Sequence, residues 1–388
     1  MKDSLLEQVG AGGGKRRVII IDYNHLAFRY RFSKASGLSI NRLINGVPTT
    51  IDTTIPAYTI KQIVRWSNFG VNPTIVCMDA PTPSRKYYFK QLLEKEAEIT
   101  NISADYKGDR PTYDHDFIQS ITIAGTLMKN GGIYVYQEHN YEADDLIFEA
   151  VRKAKKDHPY LPIDIITGDA DLLPLVDEQV SVYMKSKVYT YANETSPLIK
   201  GYVQYTPDSY QQYAEELSKF KTSKLTIPYN TVLLAKILRG DNADGLKGKP
   251  DWKPKVFNEL IEILFANDEP VEDVARYGHW TSTIIDRRTN QPVTEYSKED
   301  IPHLFQKYNE PEELKNLLDI VGYYVEPDDI TFIRDRYIGM CLNGAFIDVP
   351  NEFKRRPFEI KDKEPFSGFN INQLQDAVGI LDIRLPMA

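Results

Sequence analysis

Three short runs of β-branched and apolar residues interrupt an otherwise mixed pattern: Val18-Ile19-Ile20-Ile21, Pro73-Thr74-Ile75-Val76-Cys77-Met78 and Ile163-Asp164-Ile165-Ile166. Short apolar runs with little alternation fit strands buried on both faces, as in a parallel sheet. Helical spacing takes over between them. The window from Asp114 to Lys129 places Phe117, Ile121 and Met128 on one side. A second helix, starting near Glu142, stripes Leu146, Ile147, Ala150, Val151 and Ala154. Its last turns carry Arg152, Lys153, Lys155 and Lys156, where cations complement the helix dipole. Alternation of this kind predicts an α/β fold, a mostly parallel central sheet flanked by helices on both faces.

Beyond Val180 the texture becomes a Tyr-rich hairpin and then a polar stretch through Lys224. Order returns at Ile227, with Pro228 preceding a helix from Tyr229 to Arg239 and the loop Gly240-Asp241-Asn242-Ala243-Asp244-Gly245. From about Glu259 to the end the pattern reads as further helices and loops, without internal repeats. Residues 1–17 read as a flexible tail around Ala11-Gly12-Gly13-Gly14. A phosphate-binding Walker loop is excluded there, because Val9 and Arg16 stand where that loop needs Gly and Ser or Thr.

With 388 residues, 42% hydrophobic and 26% charged, the chain can bury a core without disulfide staples. Its two cysteines, Cys77 and Cys341, lie far apart and point to a reducing compartment, the cytoplasm in the simplest case. No apolar run reaches the length of a membrane span, and residues 1–14 lack the apolar segment of a signal peptide. The net charge of -8 argues against nucleic acid only if the acids are spread evenly. Acids gathered in one place and neutralised by bound cations leave the rest of the surface free to be basic.

The acids are not spread evenly. Asp22 follows the first strand, Asp79 the second, and Asp169 with Asp171 the third, while Glu142, Asp144 and Asp145 open a helix and Asp241 and Asp244 sit in the later loop. Open α/β sheets bind ligands beyond the carboxyl ends of their strands, which is where these acids fall. Each acid alone has an ordinary explanation, as a turn residue or a first-turn helix acid. The set does not: two carboxylates about 4 Å apart repel by roughly 4 kcal/mol at an effective dielectric near 20. Oxygen ligands without a His or Cys cluster point to Mg²⁺, with Mn²⁺ as a substitute. A pair of such ions suits phosphodiester hydrolysis, because one activates water and the other stabilises the departing oxygen.

The motifs Ile21-Asp22, Met78-Asp79-Ala80, Tyr106-Lys107-Gly108-Asp109-Arg110, Glu142-Ala143-Asp144-Asp145, Thr167-Gly168-Asp169-Ala170-Asp171 and Leu238-Arg239-Gly240-Asp241-Asn242-Ala243-Asp244 stand in a telling order. That order resembles the flap endonuclease or 5′-to-3′ exonuclease family, most of all its phage ribonuclease H and exonuclease branch. The resemblance implies a PIN-like 5′-nuclease core over 18–226 with an arch at about 82–112, and a helix-hairpin-helix-like and C-terminal helical region over 227–388. It implies two Mg²⁺ ions, one held by Asp22, Asp79, Glu142 and Asp144, the other served by Asp145, Asp169, Asp171, Asp241 and Asp244. By the same likeness Lys107 and Arg110 grip the scissile phosphate, helped by Arg85, and cations there stabilise developing phosphoryl charge.

Arg85-Lys86-Tyr87-Tyr88-Phe89-Lys90 interleaves cations and aromatics, a composition suited to a single strand; an amphipathic helix with core aromatics is the alternative. Tyr106 is a further candidate contact, as are Lys247, Lys249, Lys253 and Lys255 for duplex phosphates. The stretch after Asp244 departs from the family's Gly-Ile-Gly hairpin, which puts a monovalent ion there in doubt. The expected substrates are DNA flaps, 5′ ends or RNA–DNA hybrids in phage DNA replication, alongside replication proteins and away from membranes. A PIN-type ribonuclease and a non-catalytic nucleic-acid scaffold are the competing readings.

Overall fold

The computed structural model describes residues 16–31, 38–81, 83–100, 115–185, 202–206, 240–241, 245–248, 285–286, 291–292, 332, 335–336, 339–340 and 364–387. In chain order the elements begin with β1 (Val18–Asp22), α1 (Tyr23–Arg31), β2 (Ser39–Ile44), β3 (Val47–Asp52) and α2 (Thr54–Trp66). There follow β4 (Thr74–Cys77), α3 (Ser84–Thr100), α4 (His115–Asn130), β5 (Tyr134–Tyr136), α5 (Ala143–Asp157) and β6 (Ile163–Thr167). After a short 3₁₀ helix (Ala170–Leu175) come β7 (Val180–Lys185), β8 (Tyr202–Tyr205), β9 (Gly240–Asp241), β10 (Leu246–Lys247), β11 (Ile285–Asp286), β12 (Gln291–Pro292) and α6 (Ile371–Gly379). No helix among the described residues is long and apolar enough to cross a membrane.

Six strands form one sheet in the order β5-β4-β1-β6-β7-β8. All five residues of β1 are buried because parallel partners flank it: Asp22 pairs beside Cys77 of β4, and Ile21 beside Ile166 of β6. β5 and β7 extend the parallel set, and β8 closes it antiparallel to β7 as the Tyr-rich hairpin. Helices cover both faces. Ile19 and Ile21 share one core with Leu26 of α1, Ile60 and Ile63 of α2, and Phe117, Ile121, Ala124 and Met128 of α4. Across the sheet α5 packs on β1 and β4 through its buried stripe of Leu146, Ile147, Ala150 and Ala154. Between α1 and α2 stands a two-stranded hairpin, β2–β3, turning at Asn45 and Gly46, both with positive φ.

By packing, the chain divides into two units: Met1–Ser84, Arg110–Ser209 and Val349–Ala388 form the first, Arg85–Asp109 and Tyr210–Asp348 the second. The C-terminal segment from Val349 onward belongs to the first unit. There the Phe366 backbone N–H donates to Asp157 Oδ2 (3.2 Å) and its ring lies 5.0 Å from Lys153 Nζ. The Phe369 N–H donates to the carbonyl of Gly70 (3.0 Å), which holds φ +87, and a side chain at Gly70 would collide with the Phe369 carbonyl. Helix α6, N-capped by the Asn370 side chain, buries Leu374 and Val378 against α4. Each of these side chains contributes about 1.5–3 kcal/mol by burial.

Arg17, expected in the flexible tail, is instead anchored: its guanidinium meets the buried Asp164 carboxylate at 2.5 Å. Residues 1–15 and the expected helix from Tyr229 to Arg239 lie outside the described residues. In the second unit, β9 and β10 pair antiparallel across the acidic loop. Arg336, almost wholly buried, donates to the carbonyl of Lys247 (3.2 Å) and lies 4.9 Å over the Phe332 ring. Along α3 a stripe of Arg85, Phe89 and Leu93 is buried, while Lys86 and Lys90 are exposed.

Candidate functional site

Asp22 ends β1 with its carboxylate buried at the sheet's carboxyl edge. Oδ1 accepts the His25 backbone N–H (3.1 Å) and Oδ2 accepts the Thr167 hydroxyl (2.8 Å). That hydroxyl also accepts the Asp169 N–H (2.9 Å), so Thr167 couples the acids ending β1 and β6. Asp169 Oδ1 then accepts the Asp171 N–H (3.0 Å), capping the 3₁₀ helix. Burial pushes the Asp22 carboxyl up to about 6; the neighbouring Asp169 charge adds to this, and the His25 and Thr167 hydrogen bonds oppose it. Gly168 lies against the His25 ring: a Cβ there would come within 1.8 Å of it, so the ring would have to move.

Asp79, two residues beyond β4, is held from both sides. Its Oδ2 accepts the Asn24 side-chain amide (2.9 Å), its own N–H donates to Asn24 Oδ1 (3.2 Å), and its Oδ1 accepts the Ala143 N–H (2.7 Å). Ala143 opens α5, where an unpaired helix N–H and the dipole both favour a carboxylate. Glu142 and Asp145 form a capping box at that terminus, each side chain taking the other's backbone N–H. Asp144 is half-buried. The Cys77 thiol is pushed well up by burial and by the Asp22 and Asp144 charges, so it stays protonated and is no nucleophile.

The expected acids of the first unit thus fall into two sets along one sheet edge. Asp22, Asp169 and Asp171 are joined through Thr167, and Asp79, Glu142, Asp144 and Asp145 through the α5 terminus, with Asn24 between the sets. Among the described residues, no group of three or more His, Cys, Asp or Glu side chains is close enough to hold one ion. Protein donors occupy much of the carboxylate capacity instead.

Asp241 lies in β9 of the second unit, described for its backbone, and Lys247 is exposed in β10. Asp244, Tyr106, Lys107, Arg110, Lys249, Lys253 and Lys255 lie outside the described residues. Arg85 is buried at the start of α3, Lys86 and Lys90 are exposed and Tyr87 is half-buried. Tyr88 is half-buried: its hydroxyl donates to the Asp335 carbonyl (2.9 Å), and with Phe89 it lies against Gly339. Asn24, Thr167 and His25 were not singled out from sequence; the available signal was a polar residue within three positions of a strand-end acid.

Residues 17–200 match the family model for the 5′-3′ exonuclease, N-terminal resolvase-like domain, a span that holds both sets of acids. That region of the chain is similar to that domain family. Among curated relatives, DNA polymerase I of Lactococcus lactis subsp. cremoris is 25% identical over 262 residues, 67% of this chain and 25% of that protein. The 5′-3′ exonuclease of Mycoplasma pneumoniae is 26% identical over 266 residues, 65% of this chain and 76% of that one. The chain therefore spans a quarter of the polymerase relative's length. Among solved structures, T5 5′-exonuclease with bound zinc superposes with a TM-score of 0.42 at 15% identity, covering 84% of this chain and 100% of that one.

Proposed function

We propose that this protein is a divalent-metal-dependent nuclease that hydrolyses phosphodiester bonds at the 5′ ends or 5′ flaps of DNA duplexes, in the service of phage DNA replication. The observation that carries the proposal is the edge of carboxylates after β1, β4 and β6 and at the α5 terminus, inside the matched exonuclease domain. The donor set fits Mg²⁺, or Mn²⁺ in its place, being oxygen without His or Cys ligands. The raised Asp22 carboxyl fits as well, since a cation relieves the cost of a buried charge beside Asp169.

By the family resemblance, Asp22, Asp79, Glu142 and Asp144 would hold one ion and Asp145, Asp169 and Asp171 would serve a second; each ion would draw acids from both hydrogen-bonded sets, so the carboxylates would have to close in as the ions bind. Such ions, when bound, lower the pKa of an attacking water and stabilise the departing 3′ oxygen. The chain's own contribution is placement. Thr167 fixes Asp22 against the Asp169 loop, and Asn24 with the Ala143 N–H fixes Asp79. Lys107 and Arg110, assigned by resemblance, would hold the scissile phosphate, with Arg85 in support.

A panel of end-labelled flap, nicked, blunt and RNA-primed duplexes, incubated with Mg²⁺ or chelator, tests the proposal. The expected result is Mg²⁺-dependent release of short products from 5′ ends or flaps. Cleavage confined to structured RNA would replace this reading with a PIN-type ribonuclease, and binding without cleavage would leave a scaffold.

A further inference from the structure

We infer that Asn24 is the positioning residue that sets the Asp79 carboxylate for metal, an inference that rests on the nuclease reading above. Asn24 is buried in the first turn of α1, two residues after Asp22. Its amide cannot be flipped without loss: Asp79 N–H needs the Asn24 oxygen, and Asp79 Oδ2 needs the Asn24 NH₂. The Asn24 backbone N–H also favours the charged form of Asp22, two residues before it. One residue therefore stands beside the acids that follow two adjacent strands.

Without Asn24 the Asp79 carboxylate loses the donor on Oδ2 and keeps the Ala143 N–H on Oδ1. Burial of Asn24 means that water does not simply replace the amide. Shape and hydrogen bonding can be separated here. Asn24→Asp keeps the side-chain outline and one acceptor, but sets a carboxylate oxygen against Asp79 Oδ2 where a donor belongs. Asn24→Ala removes both bonds.

The test is Mn²⁺ affinity of the full-length protein, read from the free-ion electron paramagnetic resonance signal, for wild type and both variants. Partners that orient metal-binding side chains are worth about 10- to 100-fold in affinity, and a loss of that size is expected in both variants, while flap-DNA binding in chelator stays at the wild-type level. Mn²⁺ affinity in Asn24→Ala equal to wild type would overturn the inference. As a second measurement needing no variant, the Asn24 side-chain amide resonances of wild-type protein should move across the Mg²⁺ range that activates cleavage. Resonances that stay fixed would overturn it too. Wild type that neither binds Mn²⁺ nor cleaves would remove the nuclease reading itself, whereas an active wild type with unchanged variants would remove only the role of Asn24.

Discussion

Replacing Asp22 by Asn should make the metal-free protein more stable at pH 8, although it removes a residue at the centre of the site. Burial and the Asp169 charge lift this carboxyl from 3.8 to about 6. A shift of that size corresponds to ~3 kcal/mol. For an acid raised on folding, the folded state holds its proton where the unfolded chain has lost it. Stability therefore falls as pH rises through that interval, from roughly 4 to 6, and the penalty is complete above it. Asn carries no charge and escapes the penalty. Its NH₂ now faces one of the two donors, His25 N–H or the Thr167 hydroxyl, at a cost of about 1 kcal/mol. The net expectation is ~1–2 kcal/mol of stabilisation at pH 8 in chelator, turning to ~1 kcal/mol of destabilisation near pH 4, measured by urea unfolding of both proteins. Saturating Mg²⁺ should reverse the order, because a cation stabilises the charged wild-type site by mass action. A variant as destabilised at pH 8 as at pH 4, in chelator, would refute the claim that the Asp22 charge is carried at a cost.

Asp144→Ala or Asp171→Ala should abolish cleavage while affinity for a 5′-flap duplex, measured in chelator by anisotropy, persists; full turnover in either variant would remove that acid from the machinery. Lys107→Ala should lower turnover far more than binding in single-turnover assays, and an equal loss in both would make Lys107 a tether. Leu374→Ala should cost about 2–5 kcal/mol in unfolding free energy, since the side chain is fully buried between α6 and α4 against Gly131. A loss below about 0.5 kcal/mol, the range of an ordinary surface change, would mean that α6 does not dock as described.

The central strands were legible because burial on both faces leaves short apolar runs in Val18–Asp22, Thr74–Cys77 and Ile163–Thr167, interrupted inside a strand by Asp164. Helices α4 and α5 were legible from their one-sided stripes, and the β7–β8 hairpin from its tyrosines. Strand β5 escaped because its three residues are only half-buried at the sheet edge. The β2–β3 hairpin escaped because most of its residues face solvent, which erases the alternation that marks a half-buried strand. Its Asn45-Gly46 turn was nonetheless a readable signal. Helix α6 and the anchoring of Arg17 depend on partners far along the chain, α4 and Asp164, which local pattern does not reveal. At the site, strand-end acids announced themselves by position. The uncharged residues that aim them, Asn24 and Thr167, did not, because an amide or hydroxyl near a strand end is ordinary turn chemistry until its partner is known.

Anomalous diffraction from crystals of the full-length protein grown with Mn²⁺ addresses the central claim most directly. The account predicts Mn²⁺ peaks at the carboxyl edge of the sheet, with oxygens of Asp22, Asp79 and Asp144 around one ion and Asp169 and Asp171 facing the second. Peaks elsewhere on the molecule, or none at a Mn²⁺ concentration that supports cleavage, would contradict it.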